Sequence, residues 1–284
     1  KALIGLTILA VVVLVAVFAP LLTEYLPTKR VGRPHQPPSA EHWLGTTRLG
    51  YDVFTRMLYG ARVSLAVGFG AGLLITVIGT VLGIVAGYKS GVLDEVITFF
   101  TNMILVIPNL PLLLVLAAFI GQASPLVIAI ILGFTSWAWG VRVTRSETLS
   151  IRQRDFVKPA EMLGEPGWHI MAFEIFPNLV SIVGINFIGS VLFAVISEAT
   201  LEFLGLGDPN TVSWGIMLYN AQNSSALSVG AWWDLLTPCV ALATLGLGLA
   251  LINFAIDEIA NPRLRTGGML VRWTGLIRRG EGKL

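Results

Sequence analysis

Long apolar runs separated by short polar segments dominate this chain. A helix needs about 20 apolar residues to cross about 30 Å of hydrocarbon. Six runs approach or exceed that length, at residues 2–22, 63–88, 96–119, 125–143, 179–199 and 236–256. The pattern therefore predicts an all-α integral membrane protein with six transmembrane helices. The first run is longer than the apolar part of a signal peptide, and no A-x-A cleavage site follows it, so we interpret it as a span.

Composition supports the membrane assignment and excludes several kinds of site. The 284 residues are 55% hydrophobic and 13% charged, with a mean hydropathy of +0.77, whereas soluble domains are about 25% charged. Cys239 is the single cysteine, which excludes an internal disulfide and a multi-cysteine metal site. His35, His42 and His169 are scattered and lack the spacing of metal ligands. We expect no metal site and no nucleic-acid partner.

Basic residues are distributed unevenly between the two sides that six spans would create. Most of the 19 Lys and Arg residues lie on the side that holds both chain ends. They are Lys1, Lys89, Arg142, Arg145, Arg152, Arg154, Lys158, Arg263, Arg265, Arg272, Arg278, Arg279 and Lys283. Because cytoplasmic segments of membrane proteins are enriched in Lys and Arg, both termini and the segment between spans four and five are predicted to be cytoplasmic.

Glycines and prolines inside the spans indicate how the helices pack and bend. Glycines recur at four-residue steps in the second span, at Gly68 and Gly72 and again at Gly79, Gly83 and Gly87. On a helix such glycines share a face and let another helix approach closely. Pro108 and Pro111 are predicted to kink the third span.

The sequence contains no motif that would supply energy or catalysis. A G-x-x-x-x-G-K-[ST] phosphate loop is absent, as are G-x-S-x-G, H-E-x-x-H and C-x-x-C. The classes that remain are a secondary transporter, a channel, an intramembrane enzyme, or a subunit that receives its energy from a partner.

Three polar residues of the last two spans are candidates for a translocation path. Asn186 and Asn253 lie deep in their spans, where they can bond across helices, line a path, or both. Glu198 lies at the outer end of the fifth span, which makes it interfacial first and functional by hypothesis.

A short segment of mixed polarity, residues 155–167, separates spans four and five. Phe156, Ala160 and Leu163 are spaced i, i+4, i+7 and predict one apolar ridge on a helix that ends at Gly164. Lys158 is set against Glu161 and Glu165, so the helix lacks the basic surface that favours anionic lipid. The segment is therefore predicted to insert its ridge into a groove of a cytoplasmic protein.

The stretch FVKPAEMLGEPGWHIMAFEIFPN, residues 156–178, resembles the cytoplasmic coupling loop in permease subunits of bacterial ABC importers. The family pattern is roughly E-A-A-x-x-x-G, about nine residues, and then I-x-L-P. The matching positions are Ala160, Gly164, Ile175, Pro177 and Asn178, with Phe176 where Leu is usual. Lys158 stands where Glu is usual and Pro159 where Ala is usual, which puts the polar contact of the family's Glu in doubt. The resemblance assigns the contact with an ATPase to Phe156, Lys158, Ala160, Glu161, Leu163 and Gly164.

Three further stretches are similar to dipeptide/oligopeptide/nickel permeases of the second-subunit type. They lie at 37–65, 196–218 and 232–265, in the order that the family shows. The departures are Thr47 and Tyr51 for Asp and Arg, Glu202 where Ser is common, and Asn261 for Asp.

The resemblance implies a type I importer membrane domain with six spans and a coupling helix at about 155–167. It divides the chain into a first span with an extracytoplasmic segment at 1–62, a core permease domain at 63–265 and a cytoplasmic tail at 266–284. The implied partners are a second homologous permease, two cytoplasmic ATPases that bind ATP and Mg²⁺, and an extracytoplasmic substrate-binding protein. This chain would itself carry no cofactor and no catalytic residue. Di- or oligopeptides are the expected cargo, with nickel complexes, oligosaccharides or another small solute as alternatives.

Overall fold

The computed structural model describes residues 1–260, which form a helical bundle with no β-strand in that range. The predicted tail at 266–284 and the end of the predicted core region, including Asn261, lie outside the described residues. The helices are α1 (Ala2–Val17), α2 (Ala19–Leu22), α3 (Val53–Lys89), α4 (Gly91–Val106), α5 (Asn109–Ile120), α6 (Pro125–Thr135), α7 (Ala138–Arg152), α8 (Val157–Met162), α9 (Gly167–His169), α10 (Phe176–Phe203), α11 (Trp214–Asn223) and α12 (Trp232–Ala260), with a π-helical turn at Ile170–Ile175.

The all-α membrane fold predicted from the apolar runs is confirmed. Three helical stretches are each long and apolar enough to cross a bilayer, namely α3, Gly167–Phe203 and Trp232–Glu258. Two helix pairs qualify as bent spans: α4 with α5, and α6 with α7. The remaining apolar helix, α1, has 16 residues and is about 24 Å long. Length and composition thus support five spans, and the count of six stays a prediction.

Helix α3 begins at Val53, ten residues before the apolar run that predicted it. The predicted start at residue 63 follows from Arg56 and Arg62, whose charges interrupt the apolar run. In the structure Arg56 is part of the helix and is only 6% exposed. Asp52 caps the helix, because its Oδ2 accepts a hydrogen bond from the Thr55 N–H over 2.8 Å. The 37 residues extend about 55 Å, so α3 reaches beyond the hydrocarbon and crosses the predicted domain boundary at 62/63.

The predicted close approach at the glycines of α3 is confirmed. Towards one end, a Cβ atom at Gly72 would lie 2.6 Å from Val191 Cγ2 of α10. Towards the other end, a Cβ atom at Gly83 or Gly87 would lie 2.6 Å from the Cβ atom of Thr144 or Thr148 on α7. The glycines therefore let the α3 backbone pack directly against α7 and α10.

Two breaks interrupt the bent spans. The predicted kink at Pro108 is confirmed, because α4 and α5 meet there at 86°. Pro111 lies in the first turn of α5, where a missing N–H breaks no helical bond. The 42° bend between α6 and α7 at Ser136 and Trp137 was not predicted from the continuous run at 125–143.

Both described ends of the chain lie at the same end of the bundle. Lys1 Nζ is 2.7 Å from Glu258 Oε1 of α12. The far end of α1 lies near the start of α3, where Arg62 donates to the Val17 carbonyl over 3.2 Å. The start of α1 is thus directed towards the end of α3, where α8 packs. We call this the α8 end of the bundle.

Candidate functional site

A cavity of about 610 Å³ opens between α3, α10, α12 and the two helix breaks. Its lining is uncharged and includes Asn109, Ser136, Asn186, Ser190 and Asn253. The path candidates Asn186 and Asn253 therefore lie in one cavity, on facing helices.

The two helix breaks meet in the wall of this cavity. Asn109 Nδ2, at the start of α5, donates to Ser136 Oγ, at the end of α6, over 3.3 Å. Irregular backbone at membrane depth is tolerated where protein buries it or where it lines a polar cavity. Asn109 and Ser136 were missed by the sequence analysis, although a Pro-Asn pair and a Ser in an apolar run are signals of such breaks.

Polar atoms around the cavity have spare hydrogen-bonding capacity. Asn109 Oδ1, Asn186 Nδ2 and Asn253 Oδ1 are buried and make no hydrogen bond within the described part of the chain. A buried polar atom without a partner costs about 1–3 kcal/mol. The arrangement therefore suits a solute or water that offers neutral donors and acceptors, and it selects for neither charge sign.

Glu198, the third path candidate, lies elsewhere in the fold. It does not line the cavity, and its side chain is 0% exposed. Ser64 of α3 donates to its Oε1 over 3.2 Å. The sequence placed Glu198 correctly near the end of α10, but apolar content alone did not show that α3 and α11 would enclose it.

The coupling helix predicted at 155–167 is shorter in the structure. Helix α8 covers Val157–Met162 with Leu163 as its C-cap, and Gly164 follows the cap at the predicted stop. The Glu165 N–H donates to the Ala160 carbonyl and the Gly164 N–H to the Glu161 carbonyl, the bond pair of a Schellman motif. Gly164 has a φ of +79°, which glycine adopts without the strain of a Cβ atom.

Phe156, Ala160 and Leu163 do not form the one exposed ridge that their spacing predicted, because the three side chains differ in burial. Ala160 is 8% exposed and packs inward beside Val157. Leu163 is 82% exposed and Met162, which the sequence analysis passed over, is 85% exposed. Phe156 is 40% exposed. The bundle covers the side of α8 that carries Val157 and Ala160, and it leaves Met162 and Leu163 in the open.

Charged residues of α8 divide between the bundle and the solvent. The Glu161 carboxylate is 3.5 Å from Arg152 at the end of α7. Arg152 also donates to Ser90 Oγ over 2.8 Å and lies over the Tyr88 ring. Glu161 and Lys158 are both exposed, and Glu161 in addition contacts Arg152 of the bundle.

A buried cluster connects α8 to α10. Val157 and Ala160 pack in one cluster with Ile170 and Ile175 of the π-helical turn and Leu179 of α10. Pro177, which lacks an N–H, follows that turn in the first turn of α10 and accounts for the altered helical register. A displacement of α8 would thus be passed to α10 through packed side chains.

Metal-binding clusters are absent from residues 1–260 by the criterion of three or more neighbouring His, Cys, Asp or Glu side chains. This finding covers only those residues, and the expectation of no cofactor on this chain stays a prediction.

Comparison with known proteins identifies the family. Residues 79–266 match the family described as binding-protein-dependent transport system inner membrane component, and residues 1–38 match the N-terminal transmembrane domain of oligopeptide transport permease C. The chain is 32% identical over 268 residues to a putative peptide transport system permease protein of Brucella suis, covering 93% of this chain and 88% of the relative. It is 32% identical over 263 residues to the dipeptide transport system permease protein of Bacillus subtilis, covering 92% and 81%. It is 31% identical over 235 residues to the glutathione transport system permease protein of Pectobacterium atrosepticum, covering 82% and 77%. The chain is an integral membrane protein that belongs to the binding-protein-dependent transport system inner membrane component family.

Proposed function

We propose that this chain forms half of the translocation path of an ATP-driven importer of small peptides. The observation that carries the proposal is the uncharged, amide-lined cavity between the helix breaks. The other half of the path is supplied by a second, homologous permease. The cavity alone does not define the full pathway, because the partner completes its walls.

Peptide cargo fits both the relatives and the chemistry of the cavity. The similar proteins are named for peptide, dipeptide and glutathione transport. The amide groups of Asn109, Asn186 and Asn253 match the donors and acceptors of a peptide backbone. An uncharged lining accepts side chains of either charge, so selection among peptides rests with the binding protein. Nickel complexes and oligosaccharides are the alternative cargoes, and transport competition distinguishes them from peptides.

Coupling to ATP occurs through α8 on the cytoplasmic side. Met162 and Leu163 present a large exposed apolar surface at the tip of the 155–167 segment, whose other face is held in the bundle. We assign them, with Phe156 and Lys158, to the groove of a cytoplasmic ATPase. Two ATPases bind ATP and Mg²⁺, and the permease itself catalyses no reaction. Gly164 terminates the helix, while Ala160 and Glu161 hold it to α10 and α7.

The working cycle alternates two arrangements of the bundle. Closure of the ATPases on ATP displaces α8, and the buried cluster passes the displacement to α10. The path then opens to the extracytoplasmic binding protein, and hydrolysis resets it.

The test is reconstitution of the chain in proteoliposomes with its sister permease, ATPases and binding protein. Dipeptide uptake should require ATP, and Met162→Ala with Leu163→Ala should abolish uptake and ATPase co-purification while the permease pair stays folded. A matched control is Val157→Ala, which removes a buried side chain. This variant should lower thermal stability more than it lowers ATPase co-purification. Full uptake and ATPase binding in the Met162/Leu163 variant would overturn the coupling assignment.

A single-chain secondary transporter or channel is the rival class. This class predicts an ionisable pair deep in the spans, and the described residues that line the cavity include no ionisable group. Dipeptide uptake by this chain alone, driven by an ion gradient without ATPases, would favour that class over the proposal.

A further inference from the structure

A pair of buried carboxyl groups lies away from the cavity, where α10 meets α3 and α11. Glu198 and Glu202 are one helical turn apart on α10, and both are 0% exposed. Residues four apart on a helix lie on one face, so the two carboxyl groups share the buried face of α10 that meets α3 and α11. Ser is common in the resembling family where Glu202 stands here, so the second carboxyl group is a departure.

Each carboxyl group has one oxygen bound by a serine. Ser64 Oγ of α3 donates to Glu198 Oε1 over 3.2 Å. Ser213 Oγ, which caps α11, donates to Glu202 Oε2. The remaining oxygens, Glu198 Oε2 and Glu202 Oε1, are buried and receive no hydrogen bond from any described residue.

The described residues around the pair place no positive charge in contact with it. The polar groups that bind the pair are Ser64 of α3 and Ser213 at the start of α11, and the Ile216 N–H donates to Ser213 Oγ. Among the ion pairs of the described residues, no Lys, Arg or His contacts either glutamate. Two adjacent carboxylates repel strongly in a low-dielectric interior, whereas an acid and a carboxylate form a short, charge-assisted hydrogen bond.

Packing is tight on the side of Glu202 that meets Gly207 and Gly215. A Cβ atom at Gly215 would lie 2.5 Å from Glu202 Oε2, and one at Gly207 would lie 2.7 Å from Glu202 Cγ. A proton is the ligand that needs no additional space.

We propose that Glu198 and Glu202 bind one proton between Glu198 Oε2 and Glu202 Oε1 at neutral pH, and that this proton holds the start of α11 against α3 and α10. The mutual bond leaves each glutamate free to accept from its serine. Ser64 Oγ lies 3.4 Å from the Trp214 N–H, which donates to it, so the same network reaches α11 from the α3 side. Loss of the proton would leave two facing carboxylates and would loosen α11.

The test is infrared spectroscopy of the assembled transporter in lipid nanodiscs at neutral pH. The wild-type spectrum should contain a carbonyl band of a protonated carboxylic acid that shifts in D₂O. Glu202→Gln and Glu198→Gln should each lose this band, because an amide donor lets the remaining carboxylate ionise. Asp234→Asn, which removes a buried carboxyl group lining a different pocket, should leave the band in place.

Hydrogen exchange supplies a second readout. If the two glutamates had a purely structural role, the exchange protection of α11 would not depend on pH. Raising the pH to alkaline values should reduce the exchange protection of α11 several-fold in the wild type and leave it unchanged in Glu202→Gln. Absence of the acid band in the wild type, or its survival in either Gln variant, would overturn the shared proton. Equal loss of α11 protection in wild type and Glu202→Gln would overturn the proposed link to α11.

Discussion

Arg145 holds Asp94 with two parallel hydrogen bonds, from Nε to Oδ1 over 2.6 Å and from Nη2 to Oδ2 over 2.7 Å. The pair joins the middle of α7 to the first turn of α4, next to the Arg142–Asn102 bond between the same helices. Both side chains are partly exposed, so the pair orients α4 more than it stabilises the bundle.

Arg145→Lys keeps the charge but removes the planar fork that binds both carboxylate oxygens. A double-mutant cycle with Asp94→Asn should give a coupling energy of about 1 kcal/mol that falls at high salt. Thermal unfolding of the purified permease pair measures it. Lys1→Gln, at an exposed ion pair, is the control and should change stability by less than about 0.5 kcal/mol. A coupling energy of zero would show that the two hydrogen bonds are replaced by water at no cost.

Gly83→Ala should force α3 and α7 apart. The new methyl group would lie 2.6 Å from Thr144 Cβ, and overpacking of this kind costs about 1–3 kcal/mol. Differential scanning calorimetry of the purified permease pair measures the loss of thermal stability. Gly70→Ala on the same helix, where a Cβ atom meets nothing within 4 Å, should be neutral or slightly stabilising. Equal melting temperatures for the two variants would contradict the packing seen here.

Gly164→Val should impair the turn that follows α8, because a β-branched residue at a φ of +79° is strained. The cost is about 1–2 kcal/mol, borne locally by the 155–167 segment. We expect reduced ATPase co-purification and uptake with normal membrane insertion. Gly164→Asn, which tolerates this backbone conformation, should restore most of both activities. Failure of Asn to perform better than Val would show that the side-chain space, and not the backbone, matters at this position.

Asn186→Leu should reduce peptide transport without reducing thermal stability. The substitution removes a buried Nδ2 without a hydrogen-bond partner among the described residues, so melting should occur at the same or a higher temperature. Peptide uptake should fall at least several-fold, because the cavity loses a polar contact. Ile196→Leu, on an exposed part of α10, is the control for both assays. A fall in melting temperature that parallels the fall in uptake would indicate a structural role for Asn186.

Local sequence signals anticipated those parts of the fold that depend on one helix at a time. The glycine steps identified the packed faces of α3, and Pro108 identified the sharper bend, because both residues act through backbone geometry. Gly164 marked the end of α8 for the same reason. Asn186 and Asn253 were found because an amide in an apolar run needs a partner or a cavity.

Features that depend on several helices could not be predicted from one sequence. The buried state of Arg56 and the enclosure of Glu198 arise from residues far away in the chain, so hydropathy misplaced the start of α3 and did not show that Glu198 is enclosed. The break at Ser136 carries no proline. The burial of Ala160 and the exposure of Leu163 depend on which side of α8 the bundle covers, and helix periodicity alone does not show that.

The glycine contacts of α3 have a mechanical consequence. Where backbones meet through Gly72 on one side and Gly83 and Gly87 on the other, there is little slack for one helix to slide along its neighbour. The three helices then move as one rigid unit, and bending is confined to the helix breaks at Pro108 and Ser136 and to the π-helical turn. A displacement of α8 would therefore cause rotation at these three places. The breaks at Pro108 and Ser136 line the cavity, and the π-helical turn precedes α10, which also lines it.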